Sequence, residues 1–323
     1  MKLRLKRILA IDGGGIRGLI PALVLGEIER RTGRKAGELF DLIVGTSTGG
    51  ILALALVRPD PTGHKPQYSS ADLGNLYLQE GNAIFPKTAF SRLRRPFDKK
   101  YPATQLQEIL RRYFDETKLS AAVTDVLVTS YEIHLRQPWF FRSRRARQDS
   151  AYDFTLWEAA LATSAAPTYF EPCHLRNPNG DHWYLINGGT FANNPALCGY
   201  VESRTTNPQS DVLLVSLGTG RYVKPLAYDD AKKWGLLGWA RPILDVVFDG
   251  VSRTTEFQMA QLLPDVESQK RYFRFQTDLA GVDYPMDDCS PASLKTLEAL
   301  AKEIITQHSQ QIEILCEQLM LAS

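Results

Sequence analysis

The sequence holds little of what the commonest hydrolytic and redox chemistries need. Its four cysteines, Cys173, Cys198, Cys289 and Cys316, are far apart and include no C-x-x-C pair. Neither a metal motif nor a dense disulfide framework is visible, and the thiols read as core or incidental groups of a reducing compartment. Histidine is nearly as scarce. None of the five (His64, His134, His174, His182 and His308) follows an obvious strand with an orienting acid beside it, so each reads as a surface or satisfied core residue. A formal net charge of +2 points to neither nucleic acid nor membrane, and no DNA or RNA duplex is expected as a partner. No stretch approaches the ~20 apolar residues of a membrane span. The opening MKLRLKRILAID carries too short an apolar run for a secretory leader. The expected location is the cytoplasm.

What is present is an ordinary globular composition, 44% hydrophobic and 23% charged over 323 residues, with no repeat and no low-complexity block. Strand-like apolar runs at Arg7–Asp12, Leu39–Val44, Thr124–Tyr131 and Asp211–Leu217 alternate with helical periodicity. Between the first two, Pro21 starts a helix with Leu23, Val24 and Ile28 on one face, and Gly33 stops it. This alternation predicts an α/β fold of three layers, α/β/α, around a central, mostly parallel sheet. One domain over residues 1–323 is expected, with its core at about 7–220. A proline-rich, basic cap or lid insertion is expected at about 58–104, and a helical part at about 221–323. In that last part, Ser293–Leu319 has the pattern of one long amphipathic helix, with Leu297, Leu300, Ile304, Ile312 and Leu315 as its apolar positions. Residues 221–264 carry Trp234, Leu236, Leu237, Trp239, Ile243 and Leu244 without strand alternation. They read either as helical core or as an apolar surface for lipid or a partner.

Two glycine-rich turns stand out. DLIVGTSTGGIL (Asp41–Leu52) holds Gly45-Thr46-Ser47-Thr48-Gly49, a G-x-S-x-G match between a strand and an alanine-rich helix. Such a turn lifts a serine hydroxyl clear of the sheet, because its glycines remove Cβ atoms that would clash. A helix-capping serine is the plainer alternative. LAIDGGGIRG (Leu9–Gly18) contains Gly13-x-Gly15-x-x-Gly18, which in isolation suggests a dinucleotide loop. The acidic residue that such a fold requires at the end of the second strand is absent, since that strand runs into Gly45-Thr46-Ser47. Neighbouring strand-to-helix loops meet above the carboxyl edge of a parallel sheet. Glycine amides of the first loop can therefore face the serine and hold an oxyanion. Arg17 either adds positive charge there or locks the loop.

A serine without a partner histidine calls for a carboxylate base, and WYLINGGTFANNPA (Trp183–Ala196) is where one would stand, at a strand end followed by Asn187-Gly188-Gly189. With this third element the chain resembles the patatin-like phospholipases, serine lipid acyl hydrolases with a Ser–Asp dyad. DGGGIRG (Asp12–Gly18) is similar to the family's oxyanion loop, and GTSTGG (Gly45–Gly50) to its nucleophile turn. LATSAAPTYFEP (Leu161–Pro172) and VSLGTG (Val215–Gly220) resemble later family segments, in the same order. The resemblance implies a phospholipase A or lysophospholipase type of enzyme, with Ser47 as nucleophile and position 187 as base. Gly13, Gly14, Gly15 and Arg17 would form the oxyanion loop, and Gly18, Gly45, Gly49, Gly188 and Gly189 the motif glycines. No metal and no cofactor are implied. Water would release the acyl-enzyme.

The departure is Asn187, where the family has aspartate. A carboxamide is no useful proton acceptor at neutral pH, and general-base assistance contributes ~100- to 10,000-fold, so severe impairment is expected. Three explanations stand: an engineered replacement, a natural lipid-binding pseudoenzyme, or rescue by deamidation of Asn187-Gly188 or by another base such as Asp12. The expected substrate is a phospholipid or other acyl-ester lipid, met by peripheral contact with the inner membrane. Basic groups at Ser91–Lys100 and Arg142–Arg147 are the candidates for attracting its headgroups. Some bacterial members of the family are switched on by cyclic oligonucleotides in antiviral defence, so such an activator is the rival expectation.

Overall fold

Apolar runs that lack a polar alternate suit interior parallel strands, covered on both faces. The computed structural model describes residues 5–84, 101–177, 179–223, 225–239, 242–266, 269–279 and 285–321, and it places the runs in this way. Its strands are β1 (Leu5–Ile11), β2 (Leu42–Thr46), β3 (Asp125–Glu132), β4 (Gln137–Arg142), β5 (Cys173–Arg176), β6 (His182–Asn187), β7 (Asp211–Leu217), β8 (Arg221–Tyr222), β9 (Tyr272–Phe275) and β10 (Asp278–Leu279). The main sheet has the order β5-β6-β3-β2-β1-β7-β9, with β4 also paired to β3; β8 and β10 form a separate pair. From β3 to β9 the strands are parallel, while β4 and β6 run against β3, and β5 against β6.

The alternation of side chains along each strand divides the core in two. Leu9, Ile11, Ile43, Leu213 and Val215 face a thick helical layer that includes Leu19–Thr32, Thr48–Val57, Leu156–Ser164 and Pro291–Gln307. Ile8, Ala10, Val44, Val212 and Leu214 face the other way, toward Ala196 and Met259 of helices Ala196–Thr206 and Pro242–Leu262. The result is the three-layer α/β arrangement with a mostly parallel central sheet.

Some expected boundaries move. Ala36–Leu39 is a single helical turn, closed by the reciprocal bonds of Lys35 and Glu38, so β2 begins only at Leu42 and runs on through Thr46. The expected long C-terminal helix is two helices, Pro291–Gln307 and Ser309–Leu321, broken at His308, whose ring packs edge-on against Phe275. Within the segment expected as a cap, Ser70–Ile84 is a helix with Leu73, Leu76 and Tyr77 buried against the core. The basic group Ser91–Lys100 lies outside the described residues.

One detail of the sheet positions the site. β4 pairs with β3 from Leu127 to Glu132 and occupies one of its edges. The other edge holds β2 as far as Thr46↔Thr129 and then β6, starting at Asn187↔Ser130. The end of β2 and the end of β6 therefore meet head-on beside β3. Ser47 follows one end, and Asn187 is the other.

Candidate active site

Ser47 adopts φ 55 and ψ −125, a left-handed conformation that costs a non-glycine residue ~1–3 kcal/mol and persists only where its surroundings enforce it. The enforcement is visible. The Ser47 amide donates to Thr163 Oγ1 at 2.8 Å, and its carbonyl accepts from Ile51 N at 3.0 Å. A Cβ on Gly45 would lie 2.1 Å from the Gly49 carbonyl oxygen, and one on Gly49 would lie 2.2 Å from that of Ile11. The motif glycines are thus required by backbone packed on backbone. The helix that follows, Thr48–Val57, is buried at every position.

The first glycine loop crosses directly over this serine. A Cβ on Gly13 would come within 3.3 Å of Ser47 Cβ and 2.4 Å of Asn193 Oδ1. Gly13 cannot serve as an oxyanion donor, which corrects the expectation for it: its amide donates to Asn193 O at 3.0 Å, and its carbonyl accepts from Thr219 Oγ1 at 2.6 Å. Gly15 has φ +59 and packs on the Met286 carbonyl, where an added Cβ would lie at 2.1 Å. Among the described residues, the amides of Gly14 and Gly15 donate to no protein acceptor. Arg17, only 6% exposed, donates from Nε to Gly14 O at 3.3 Å and lies over the Tyr222 ring. Burial lowers its pKa, opposed by Tyr222 and Asp245. These contacts make it the clamp of the loop.

The third turn is equally confined. Asn187 is 3% exposed; its amide donates to Ala165 O at 2.9 Å, and its Oδ1 accepts from Gly189 N at 2.7 Å. A Cβ on Gly188 would lie 2.2 Å from Thr129 Oγ1, which is itself 2.6 Å from Thr46 Oγ1. Asn193 joins the pieces. Its Oδ1 lies against Gly13 and Gly189, and its Nδ2 donates to Ser252 Oγ at 3.0 Å. Ser47, the Gly13–Gly15 loop and Asn187 are brought into one place.

Asp12, the rival base, is not available. Arg274 donates to both its oxygens, from Nη1 to Oδ1 at 2.9 Å and from Nη2 to Oδ2 at 2.6 Å. Burial raises the Asp12 carboxyl from its ordinary range, against the opposing pull of Arg274. The histidines stand apart: His174 and His182 share a 2.7 Å contact on the exposed face of β5 and β6. All four cysteines are free, and burial pushes the thiols of Cys173 up to about 12 and of Cys198 and Cys316 up to about 11. No group of three or more metal-ligating side chains occurs among the described residues. No described helix is long and apolar enough to cross a membrane.

The basic group Arg142–Arg147 departs from its expected place beside a lipid site. Arg142 pairs with Leu127, near the start of β3, so the group sits at the amino edge of the sheet, opposite Ser47. Arg147 is held by Asp125 at 2.7 Å, and Arg145 stacks on Tyr152. Several residues that build the site escaped the motif reading. Thr163 and Thr219 lie inside segments noted for resemblance alone. Arg274 and Ser252 sit in stretches without a motif, and only their contacts reveal them.

The sequence pattern of the Patatin-like phospholipase family matches residues 9–197. Patatin-like protein 2 of Arabidopsis thaliana is 33% identical, covering 91% of this chain and 81% of that protein. A Solanum tuberosum protein named probable inactive patatin-3-Kuras 1 is 28% identical over 92% of this chain and 86% of its own. Among solved structures, VipD from Legionella pneumophila aligns with a TM-score of 0.39 at 11% identity, over 94% of this chain and 67% of that one. The matched span contains the serine turn, the glycine loop and the Asn187 turn, and the chain belongs to the patatin-like phospholipase family.

Proposed function

We propose that this chain is built as a lipid acyl hydrolase, cleaving glycerolipid acyl esters with Ser47 and the residue at 187, and that Asn187 leaves it severely impaired. The observation that carries the reading is the head-on meeting of β2 and β6, with Thr46↔Thr129 and Asn187↔Ser130 adjacent on one edge of β3. With aspartate at 187, its carboxylate takes the Ser47 proton as Oγ attacks the ester carbonyl. The tetrahedral oxyanion is held by the unused amides of Gly14 and Gly15. The lipid alcohol leaves with that proton, and water then cleaves the acyl-enzyme. The 2.7 Å bond from Gly189 N to Asn187 Oδ1 would orient a carboxylate equally well, since amide and acid share that oxygen. What the amide lacks is basicity. The enzyme would work from the cytoplasm on a membrane surface.

A lipid-binding pseudoenzyme is the second reading. It is favoured by Asn187 itself and by the Solanum tuberosum relative named probable inactive patatin. The Asn187→Asp change tests both. Hydrolysis of short acyl esters and phospholipids should rise ~100- to 10,000-fold, and Ser47→Ala in that background should abolish the gain. Adding cyclic oligonucleotides to the same assay tests for an activator. A reverted protein as inert as its parent on every substrate would overturn the dyad assignment.

A further inference from the structure

The helix Pro242–Leu262 has two faces with different surroundings. Its inner face carries Phe248, Ser252, Thr255 and Met259, spaced at helical intervals. Phe248 reaches the position a Cβ on Gly189 would take, at 3.4 Å, and Ser252 holds Asn193. Its outer face is exposed and carries Ile243, Val246 and, further along, Phe257. The short helix Leu236–Trp239 packs beside it and adds two more exposed apolar side chains, with Leu236 at 89% exposure. Trp239 meets Trp234 edge to face, with ring centroids 5.2 Å apart.

This surface lies on the catalytic side of the molecule. Asp245 and Asp249, in the first turns of the helix, line the same cleft as Asp12 and Asn193, above the carboxyl ends of the parallel strands. A 21-residue helix then carries the chain back toward the amino edge, where β9 begins. Two ion pairs lie near the patch: Lys232 binds Asp229, and Arg253 binds Asp249 at 2.7 Å. An apolar surface with a tryptophan, carried by the helix whose other face lines that cleft, matches the interfacial zone of a bilayer, where aromatic and aliphatic side chains insert below the headgroups.

We propose that Leu236, Trp239, Ile243 and Val246 form a membrane-docking surface that seats the mouth of the site on a phospholipid bilayer by apolar insertion. The inference rests on the lipid-hydrolase reading for its choice of partner, yet its test reads binding and needs no turnover. The full chain, with Asn187 in place, is sedimented with phosphatidylcholine vesicles. Leu236→Ser, Trp239→Ser and Ile243→Ser combined should lower vesicle partitioning by about tenfold or more, given the transfer free energy of such side chains. Phe257→Ser is the control. It is 68% exposed but about 21 Å further along the helix, at 1.5 Å per residue, and should leave partitioning unchanged. Raising the salt should also leave binding intact, since apolar insertion is not screened. Leu236→Ser alone, at so exposed a position, cannot fail through misfolding and should show the same direction.

Partitioning unaffected by these changes would overturn the proposal. So would binding lost in high salt, or a combined variant that only converts an oligomer to a monomer in light scattering. If Asn187→Asp stays inert while the patch variants still lose vesicle binding, the hydrolase reading falls and the docking surface stands.

Discussion

Two helices meet the candidate site, and they could hardly differ more. Thr48–Val57 starts at the serine and is buried at all its positions, within the thick helical layer. Pro242–Leu262 touches the same site from outside, and only Ser252, Thr255 and Met259 of its residues are buried. The first holds Ser47 in a strained conformation, and a strained residue needs surroundings that cannot yield. The second needs only an inner stripe to hold its place, which leaves the outer face open for contact with another surface. A rigid mount for Ser47 and an exposed apolar face on the outer helix follow from this division.

The inner attachment of the outer helix combines the apolar contacts of Met259 and Phe248 with a polar one, and the polar one gives the largest expected break in the comparison. Arg274 lies between Asp12 in the glycine loop and Glu256 on the helix, the latter at 3.7 Å. Arg274→Met should cost about 3–5 kcal/mol in denaturant unfolding, because it leaves Asp12 buried without its partner. The pH dependence follows from the sign of the Asp12 shift. Its folded pKa is already raised by burial, and it rises further once Arg274 is gone. A carboxyl with a raised folded pKa destabilises the fold where it is ionised, so the deficit should grow as pH rises through that value and shrink as pH falls toward the unfolded one. A deficit that is flat with pH would mean that Asp12 is not the group exposed by the change.

A matched pair sharpens the contrast at smaller scale. Leu52→Ala removes a fully buried side chain from the inner helix and should cost about 2–5 kcal/mol. Val246→Ala on the outer face should stay within about 0.5 kcal/mol, as substitutions at exposed positions do. Chemical denaturation of both variants measures this directly. Comparable losses would show that the outer face is packed rather than open, and the docking surface would lose its basis.

The glycine positions of the site are readable because a residue without Cβ marks a tight turn or close approach, whichever part of the chain supplies the contact. Gly45 and Gly49 have no room for a Cβ, and Gly15 needs a positive φ, so residue identity announces the geometry. Gly13 was misread as a donor for the complementary reason. Its amide is taken by Asn193, a residue 180 positions later, and no local pattern records which amide a distant carbonyl will occupy. The basic group Arg142–Arg147 was misplaced in the same way. Its charge was evident, but which edge of the sheet it decorates depends on β4 running back along β3.

By itself the sequence determined the parallel α/β class, the glycine-flanked turn at Ser47 and the identity of the residue at 187, because periodicity, glycine content and side-chain chemistry are properties of short stretches. Only the tertiary structure decided that β2 and β6 end against each other, that Arg274 closes off Asp12 from 262 residues away, and that the helix touching Asn193 turns an apolar face outward. Each of these depends on strand order and on which face of a helix meets the core. Long-range packing sets both, and it leaves no period in the chain from which they could be read.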